Sequence, residues 1–359
     1  MKILDKYIIK EFLKFVGITF ISLILIFLIV DFFEKIRMFL GNHATTAQMA
    51  SYFMFSLPMI ISYMLPPSIL IATLLTYSSL SKNSEITAMK ANGISLYRMS
   101  IPPLIFAVFI SFFSFFFNEL ITPASIQKTE NIIIIDIQKQ KTFGFFKQNE
   151  LWYRGENAIY NFKMFDVDKN ILRGVTINYL NPDFTLMTRI DAQSAEWKND
   201  KWLFYNLLTT RFDDDNAPVL EWSKEKEINI PEKPNDFKII QKDAEKMGYF
   251  ELKKYVKKIQ TEGYDVQRYL VDLQGKIAVS FVTIILVIIG ISFSLRSERS
   301  GGIMQSLGIG IIAGFSYFIV HAFCITLGRS GILPGVLAAW AANILFSSIA
   351  ALLFYRVRT

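Results

Sequence analysis

The sequence predicts an α-helical membrane protein with six transmembrane helices plus an inserted extracytoplasmic all-β domain. Three observations point there. Apolar runs near 20 residues recur, the length needed at roughly 1.5 Å per residue to cross about 30 Å of hydrocarbon. They fall as three runs, then a long polar stretch with strand-like alternation, then three more. Charge also segregates: residues 119–276 hold 24 Lys/Arg against 25 Asp/Glu, while the rest of the chain holds 14 against 6. The basic excess therefore lies beside the spans, where it reports topology rather than a nucleic-acid partner.

The first run is centred on Phe15–Val30 and continues into Phe32 and Phe33. Its apolar core exceeds a signal peptide's, and Asp31, Glu34, Lys35 and Arg37 follow it instead of small cleavage-site residues. The second lies in Ala44–Leu80, which has no charged residue; Pro58, Pro66 and Pro67 predict a kink or a broken helix. The third is Ile101–Phe117. The fourth is Ile277–Leu295, the fifth lies within Gly302–Leu327, and the sixth within Ile332–Tyr355. The domains expected are an N-terminal membrane half (1–121), a β domain closed by an amphipathic helix (122–265), and a C-terminal membrane half (266–359).

Orientation follows from the short flanks. The N-terminus, the Lys82–Arg98 loop, the Arg296–Arg299 loop and the C-terminus hold 11 Lys/Arg; the opposite loops hold Lys35, Arg37 and Arg329. Both termini are expected in the cytoplasm and the large domain outside.

Within that domain "NAIYNFKMFDV" and "GVTINYL" flank a turn at "DKN", and "LMTRIDAQSAEW" and "KWLFYNLLTTRF" flank one at "KND". Such alternation predicts hairpins of an antiparallel sandwich, its interior filled by side chains or left open for a lipid tail. "EKMGYFELKKYVKKIQT" reads as an amphipathic helix with Phe250, Leu252, Tyr255, Val256 and Ile259 on its apolar face. Lys253, Lys254, Lys257 and Lys258 form a solvated face or a contact with anionic headgroups.

The chemistry that is absent narrows the function. A single Cys (Cys324) excludes a disulfide framework and a multi-Cys metal site, and two His leave little for zinc. No G-x-x-x-x-G-K-[ST] occurs; Gly275–Lys276 lacks the upstream Gly and the Ser/Thr, so energy for uphill movement would come from a partner. The polar island "SKNSEITAMKANGIS", Ser81–Ser95, predicts a short helix: Ser81, Asn83 or Ser84 as N-cap, Glu85 in the first turn, and Gly93 ending it left-handed. Ile86 and Met89 would anchor it, and Ala88 with Ala91 would leave one side small. It is either an interfacial connector or a docking helix.

The pieces "ILDKYIIKEFL", "LPPSILIATLLTYSSLSKNSEITAMKANGIS", "RIDAQSAEW", "GYDVQRYLVDLQGKIA" and "GRSGILPGVLAAWAANILF", in this order and in a 3 + domain + 3 layout, resemble the lipopolysaccharide-export permeases of the LptF/LptG (YjgP/YjgQ) family along essentially the whole chain. The opening "ILDKYI" and the proline-rich second span look more like LptG. The resemblance implies an inner-membrane, non-catalytic subunit of an ABC transporter with a periplasmic β-jellyroll-like domain. It implies as partners a paralogous LptF/LptG subunit, an LptB-like ATPase dimer that binds the ATP and Mg, LptC-like and LptA-like bridge proteins, and lipopolysaccharide as cargo. It makes the island, about 82–93, the coupling helix, with Glu85, Ile86, Ala88, Met89, Ala91 and Gly93 facing the ATPase. It directs attention to bases at the outer end of span one: Lys35 and Arg37, with Arg329 beyond span five and Phe33 walling the acyl chains. There Asp31 and Glu34 interleave with the bases, so an interfacial anchor cluster competes with phosphate binding; Arg37 is preferred because guanidinium matches phosphate bidentately. Gly310 and Gly314 have GxxxG spacing, suited to close approach by span one of the partner subunit.

Other classes fit less well. A lipid-modifying membrane enzyme needs paired carboxylates or a nucleophile with a base, and the span cores offer neither. A receptor needs an output module larger than loops of about 20 residues. A lipid or lipoprotein transport subunit of another type would carry its large domain after the first span rather than the third.

Overall fold

The computed structural model describes residues 3–139, 144–147, 150–154, 158–166, 170–181, 185–198, 201–213, 216–228, 230, 233–234, 244–261, 266–296 and 303–356. The chain forms two compact units, Met1–Ile137 with Ala244–Thr359, and Gln138–Asp243. Residues 122–137 and 244–265, which the sequence pattern grouped with the β domain, thus fall in the helical unit. Their pairing shows why: Gln127 Nε2 donates to the Lys246 carbonyl (2.7 Å), and Lys246 pairs with Glu130 at 2.6 Å.

The helical unit contains α1 (Ile3–Gly41), α2 (Thr46–Lys82), α3 (Glu85–Ala91), α4 (Leu96–Leu120) and α5 (Thr122–Asn131), then a π-helical turn, Ile132–Ile137. It resumes with a 3₁₀ turn, Ala244–Lys246, and α6 (Tyr249–Thr261), α7 (Gln267–Ser280), α8 (Val282–Arg296), α9 (Ile303–Arg329) and α10 (Gly335–Tyr355). Among the described residues five helices are long and apolar enough to cross a membrane: α1, α2, α4, α9 and α10. The fourth apolar run, Ile277–Leu295, does not fall on a single helix. It falls on α7 with α8, bent by 44° at Phe281, which makes a sixth crossing if the pair is one broken span.

Of the kink or break expected at the α2 prolines, the break does not occur. The helix runs unbroken through Pro58, Pro66 and Pro67 because tertiary packing outweighs the lost N–H groups: over half of its spanning window is buried, 56% against 6% for α1. Buried hydroxyls bond carbonyls along it. Thr73 and Thr76 donate to Ile69 and Ala72 (2.7 Å each), while Thr19 of α1 and Ser294 of α8 reach the carbonyls of Ser68 (3.0 Å) and Leu74 (3.1 Å). α2 is thereby the spine of the unit.

The second unit carries seven antiparallel strands: β1 (Gly144–Lys147), β2 (Glu150–Arg154), β3 (Ala158–Asp166), β4 (Ile171–Leu180), β5 (Leu186–Lys198), β6 (Lys201–Asp213) and β7 (Asn216–Ile228). Among the described residues they make one sheet in the order β1-β2-β3-β4-β5-β6-β7, each strand pairing with the next. The hairpins read from the alternation are present as β3–β4 and β5–β6, and among the described residues the strands follow one another as a meander. One face is deeply buried, with Phe162, Ile177, Trp202, Phe204 and Leu207 all at 0% exposure. The hairpin at Trp197–Trp202 closes with the two indoles edge to face at 5.2 Å. The turns "DKN" and "KND" lie largely outside the described residues.

Candidate coupling helix and lipid-facing site

The island folds as α3, seven residues long. An isolated helix of that length does not persist in water, so its ends and contacts must hold it. Its C-terminus is a Schellman motif. Gly93 is left-handed (φ 77°), the Gly93 N–H bonds the Lys90 carbonyl (2.9 Å), and the Ile94 N–H bonds that of Met89 (3.0 Å). Ile94 and Met89 pack on the same core. At the other end Ser84 takes the N-cap place in a left-handed conformation (φ 56°) and offers no side-chain cap, unlike the expected Ser or Asn cap. Ile86 is fully buried in a core with Ile8, Phe12, Leu96 and Met99, so it faces inward rather than toward a partner. Ala88, Ala91 and Gly93 are exposed and form the small outer side.

Two links that the sequence did not suggest join the start of α1 to this helix and to the start of α4. The Tyr7 hydroxyl donates to Glu85 Oε2 at 2.7 Å. Arg98, two residues into α4, holds Asp5 with both terminal nitrogens, Nη2 to Oδ2 at 2.8 Å and Nη1 to Oδ1 at 2.7 Å. Glu85 is thus partly engaged within the chain. The only hint available from sequence was an acid and a base flanking spans at the same end.

The bases at the other end differ in their freedom. Lys35 is bound to Asp31 (2.8 Å) and lies over the Tyr52 ring at 5.6 Å; Asp31 also accepts the Tyr52 hydroxyl at 3.0 Å. The interleaved acid therefore neutralises Lys35. Arg37 is exposed, with no hydrogen bond or ion pair among the described residues. Phe33 is 69% exposed and meets Phe32 edge to face. Arg329 does not stand free as a phosphate ligand: it binds Asp272 through Nε (2.8 Å) and Nη2 (2.7 Å). Nor do Gly310 and Gly314 face outward toward another subunit. A Cβ on Gly310 would lie 2.5 Å from Leu74, and one on Gly314 2.3 Å from Leu70, so both serve the approach of α9 to this chain's own α2.

In the sheet unit, Asp191 of "RIDAQSAEW" accepts Arg189 Nε and Nη2 (2.7 and 2.9 Å) and the Thr176 hydroxyl (2.7 Å). Partial burial pushes its carboxyl up, but the bonds from Arg189 and Thr176 outweigh that and hold it below the usual carboxylate range. Among the described residues no group of three His, Cys, Asp or Glu is placed to hold a metal.

A polytopic helical unit, interrupted in sequence by an antiparallel β unit and carrying a short anchored helix between α2 and α4, defines a membrane-embedded protein of mixed architecture. The model of the family "Lipopolysaccharide export system permease LptF/LptG" matches residues 6–356, and the chain belongs to that family. It is 20% identical over 325 residues to the lipopolysaccharide export system permease protein LptG of Escherichia coli K12, covering 89% of this chain and 88% of that protein. It is 22% identical over 347 residues to LptG of Haemophilus influenzae, covering 95% and 94%. The chain is accordingly a permease-type subunit of lipopolysaccharide export.

Proposed function

We propose that this chain is an LptG-type permease of the inner membrane, non-catalytic itself, that turns the work of a separate ATPase into extraction of lipopolysaccharide. The family match along nearly the whole chain carries the reading. Both termini and α3 face the cytoplasm, and the sheet unit faces the periplasm. An LptB-like ATPase dimer, which binds ATP and Mg, receives α3 on its exposed Ala88–Ala91 side, and Glu85 pairs with a base of its groove.

A paralogous LptF/LptG subunit completes the cavity. The spanning windows of α1 and α9 are only 6% and 17% buried in this chain, which leaves those helices free to line it. Arg37 meets lipid A phosphate and Phe33 meets acyl chain. The β meander serves as the family's jellyroll-like platform for LptC-like and LptA-like proteins. In support, β7 ends the sheet among the described residues and exposes Val219, Leu220 and Trp222, a composition suited to strand addition. Glu85→Lys tests the coupling: lipopolysaccharide export is lost while membrane insertion is retained. Unchanged export in that variant rules out the lever role of α3.

A further inference from the structure

A cavity of about 290 Å³ lies in the helical unit where the C-terminal end of α4 meets α2, α7 and α9. Its walls include Phe115, Phe318 and Ile325, and its acidic, basic and histidine side chains are Glu119, Glu245, Asp272, Lys276, His321 and Arg329. Three of these six are already engaged. Asp272 and Arg329 bind each other. Glu119 accepts the backbone N–H groups of Tyr249 and Phe250 (the latter at 3.2 Å) and so caps α6 from another helix. A Cβ at residue 248 would fall 2.6 Å from the Glu119 carboxylate, which explains the glycine there.

The other three have no such partner. The side chains of Lys276 and Glu245 make no hydrogen bond or ion pair among the described residues, although Lys276 lies in the field of Glu245, Asp272, Glu119 and Glu251, and His321 Nδ1 is buried without a hydrogen-bond partner. Ionisable groups at membrane depth are costly unless something satisfies them, and so is a buried unpaired nitrogen. The lining therefore calls for a ligand with an anionic group for Lys276, a cationic group for Glu245 and an apolar chain for the aromatic wall. A purely anionic headgroup fits poorly, because it leaves Glu245 facing a like charge. A phosphate ester bearing an amine offers one opposite charge to Lys276 and one to Glu245.

We propose that this cavity holds one zwitterionic aminophospholipid of the bilayer, its phosphate on Lys276 and His321, its ammonium toward Glu245, and its acyl chain along Phe115 and Phe318. The site lies within a single chain and is separate from the exposed α1 face assigned to cargo.

The test is native mass spectrometry of the full-length protein released from nanodiscs of equal phosphatidylethanolamine and phosphatidylglycerol. Wild type retains phosphatidylethanolamine in preference. Lys276→Gln lowers that retention about tenfold, the loss of one charge-assisted bond, Lys276→Arg keeps it, and Glu245→Gln shifts selection toward phosphatidylglycerol. Retention of phosphatidylglycerol over phosphatidylethanolamine by wild type overturns the proposal. So does undiminished retention in Lys276→Gln, or displacement of the lipid by added lipopolysaccharide. Should Lys276→Gln not fold, the selectivity of Glu245→Gln against Lys276→Arg decides.

Discussion

Replacing Ile86 by alanine isolates what holds α3 in place. Ile86 is 0% exposed and touches a core shared by α1, α2 and α4. The substitution removes three carbons, which at about 0.8 kcal/mol each gives about 2.4 kcal/mol, before any cavity term lifts it within the range of about 2–5 kcal/mol for such truncations. The helix has no side-chain N-cap to compensate. The loss should therefore appear as local opening, at a factor of ten per 1.4 kcal/mol. The amides of Ala88, Asn92, Gly93 and Ile94, bonded to Ser84, Ala88, Lys90 and Met89, report it directly. Hydrogen exchange followed by mass spectrometry should show those amides exchanging about 50-fold faster or more. Ala88→Ser, on the exposed side, should leave them unchanged. Equal protection in Ile86→Ala and wild type would refute the claim that burial of one side chain anchors the helix.

Three further outcomes follow from the packing and the ion pairs. Gly314→Leu forces side-chain atoms into Leu70, itself 3% exposed, and should lower stability by about 1–3 kcal/mol, read as a drop in melting temperature in detergent. Arg37→Ala should weaken lipopolysaccharide crosslinking with little effect on melting. Lys35→Ala should do the reverse, because it leaves the buried Asp31 carboxylate without its cation at a cost of about 1–3 kcal/mol. Asp191→Asn probes pH dependence in the sheet unit. The folded carboxyl titrates below its ordinary value, so its stabilisation is full above about pH 4 and fades as pH falls through the folded value. At 35% side-chain exposure the effect is under about 1 kcal/mol. Tryptophan-monitored melting should show a wild-type advantage at pH 7 that narrows at pH 3; a gap that widens in acid contradicts the assignment.

What the sequence reveals follows the range of the interactions. Hydrophobic length is a local property, and each apolar run falls on helix, the fourth on two helices bent at Phe281. Gly93 was readable because a left-handed terminator leaves a local signature after "EITAMKA". The pairings that define the sites are not local: Tyr7 to Glu85 spans 78 residues, Asp5 to Arg98 spans 93, and Arg329 to Asp272 spans 57. A base beyond a span looks free until the fold brings its acid. Of the two outcomes read at the α2 prolines the break is absent, because a local rule about missing N–H groups gives way to packing against neighbouring helices. The GxxxG spacing correctly signalled close approach, but spacing holds no information on which helix approaches.

These links also bear on how force could travel. α1 is about 58 Å long by its residue count, and it is held near both ends, with Thr19 between them bonded to the Ser68 carbonyl of α2. At one end Asp5 and Tyr7 tie it to Arg98 and Glu85, with Ile8 and Phe12 fully buried against α2 and α4. At the other, Asp31 holds Tyr52 of α2, and Phe39 packs edge to face on the same ring at 5.5 Å. A continuous helix fixed to α3 at its base moves with α3, because bending it within a turn would break backbone bonds along its length. On the proposed reading, displacement of α3 therefore reaches the stretch from Ile18 to Phe33, where cargo would lie, through α1 together with the groups of α2 that it holds, the Ser68 carbonyl and Tyr52.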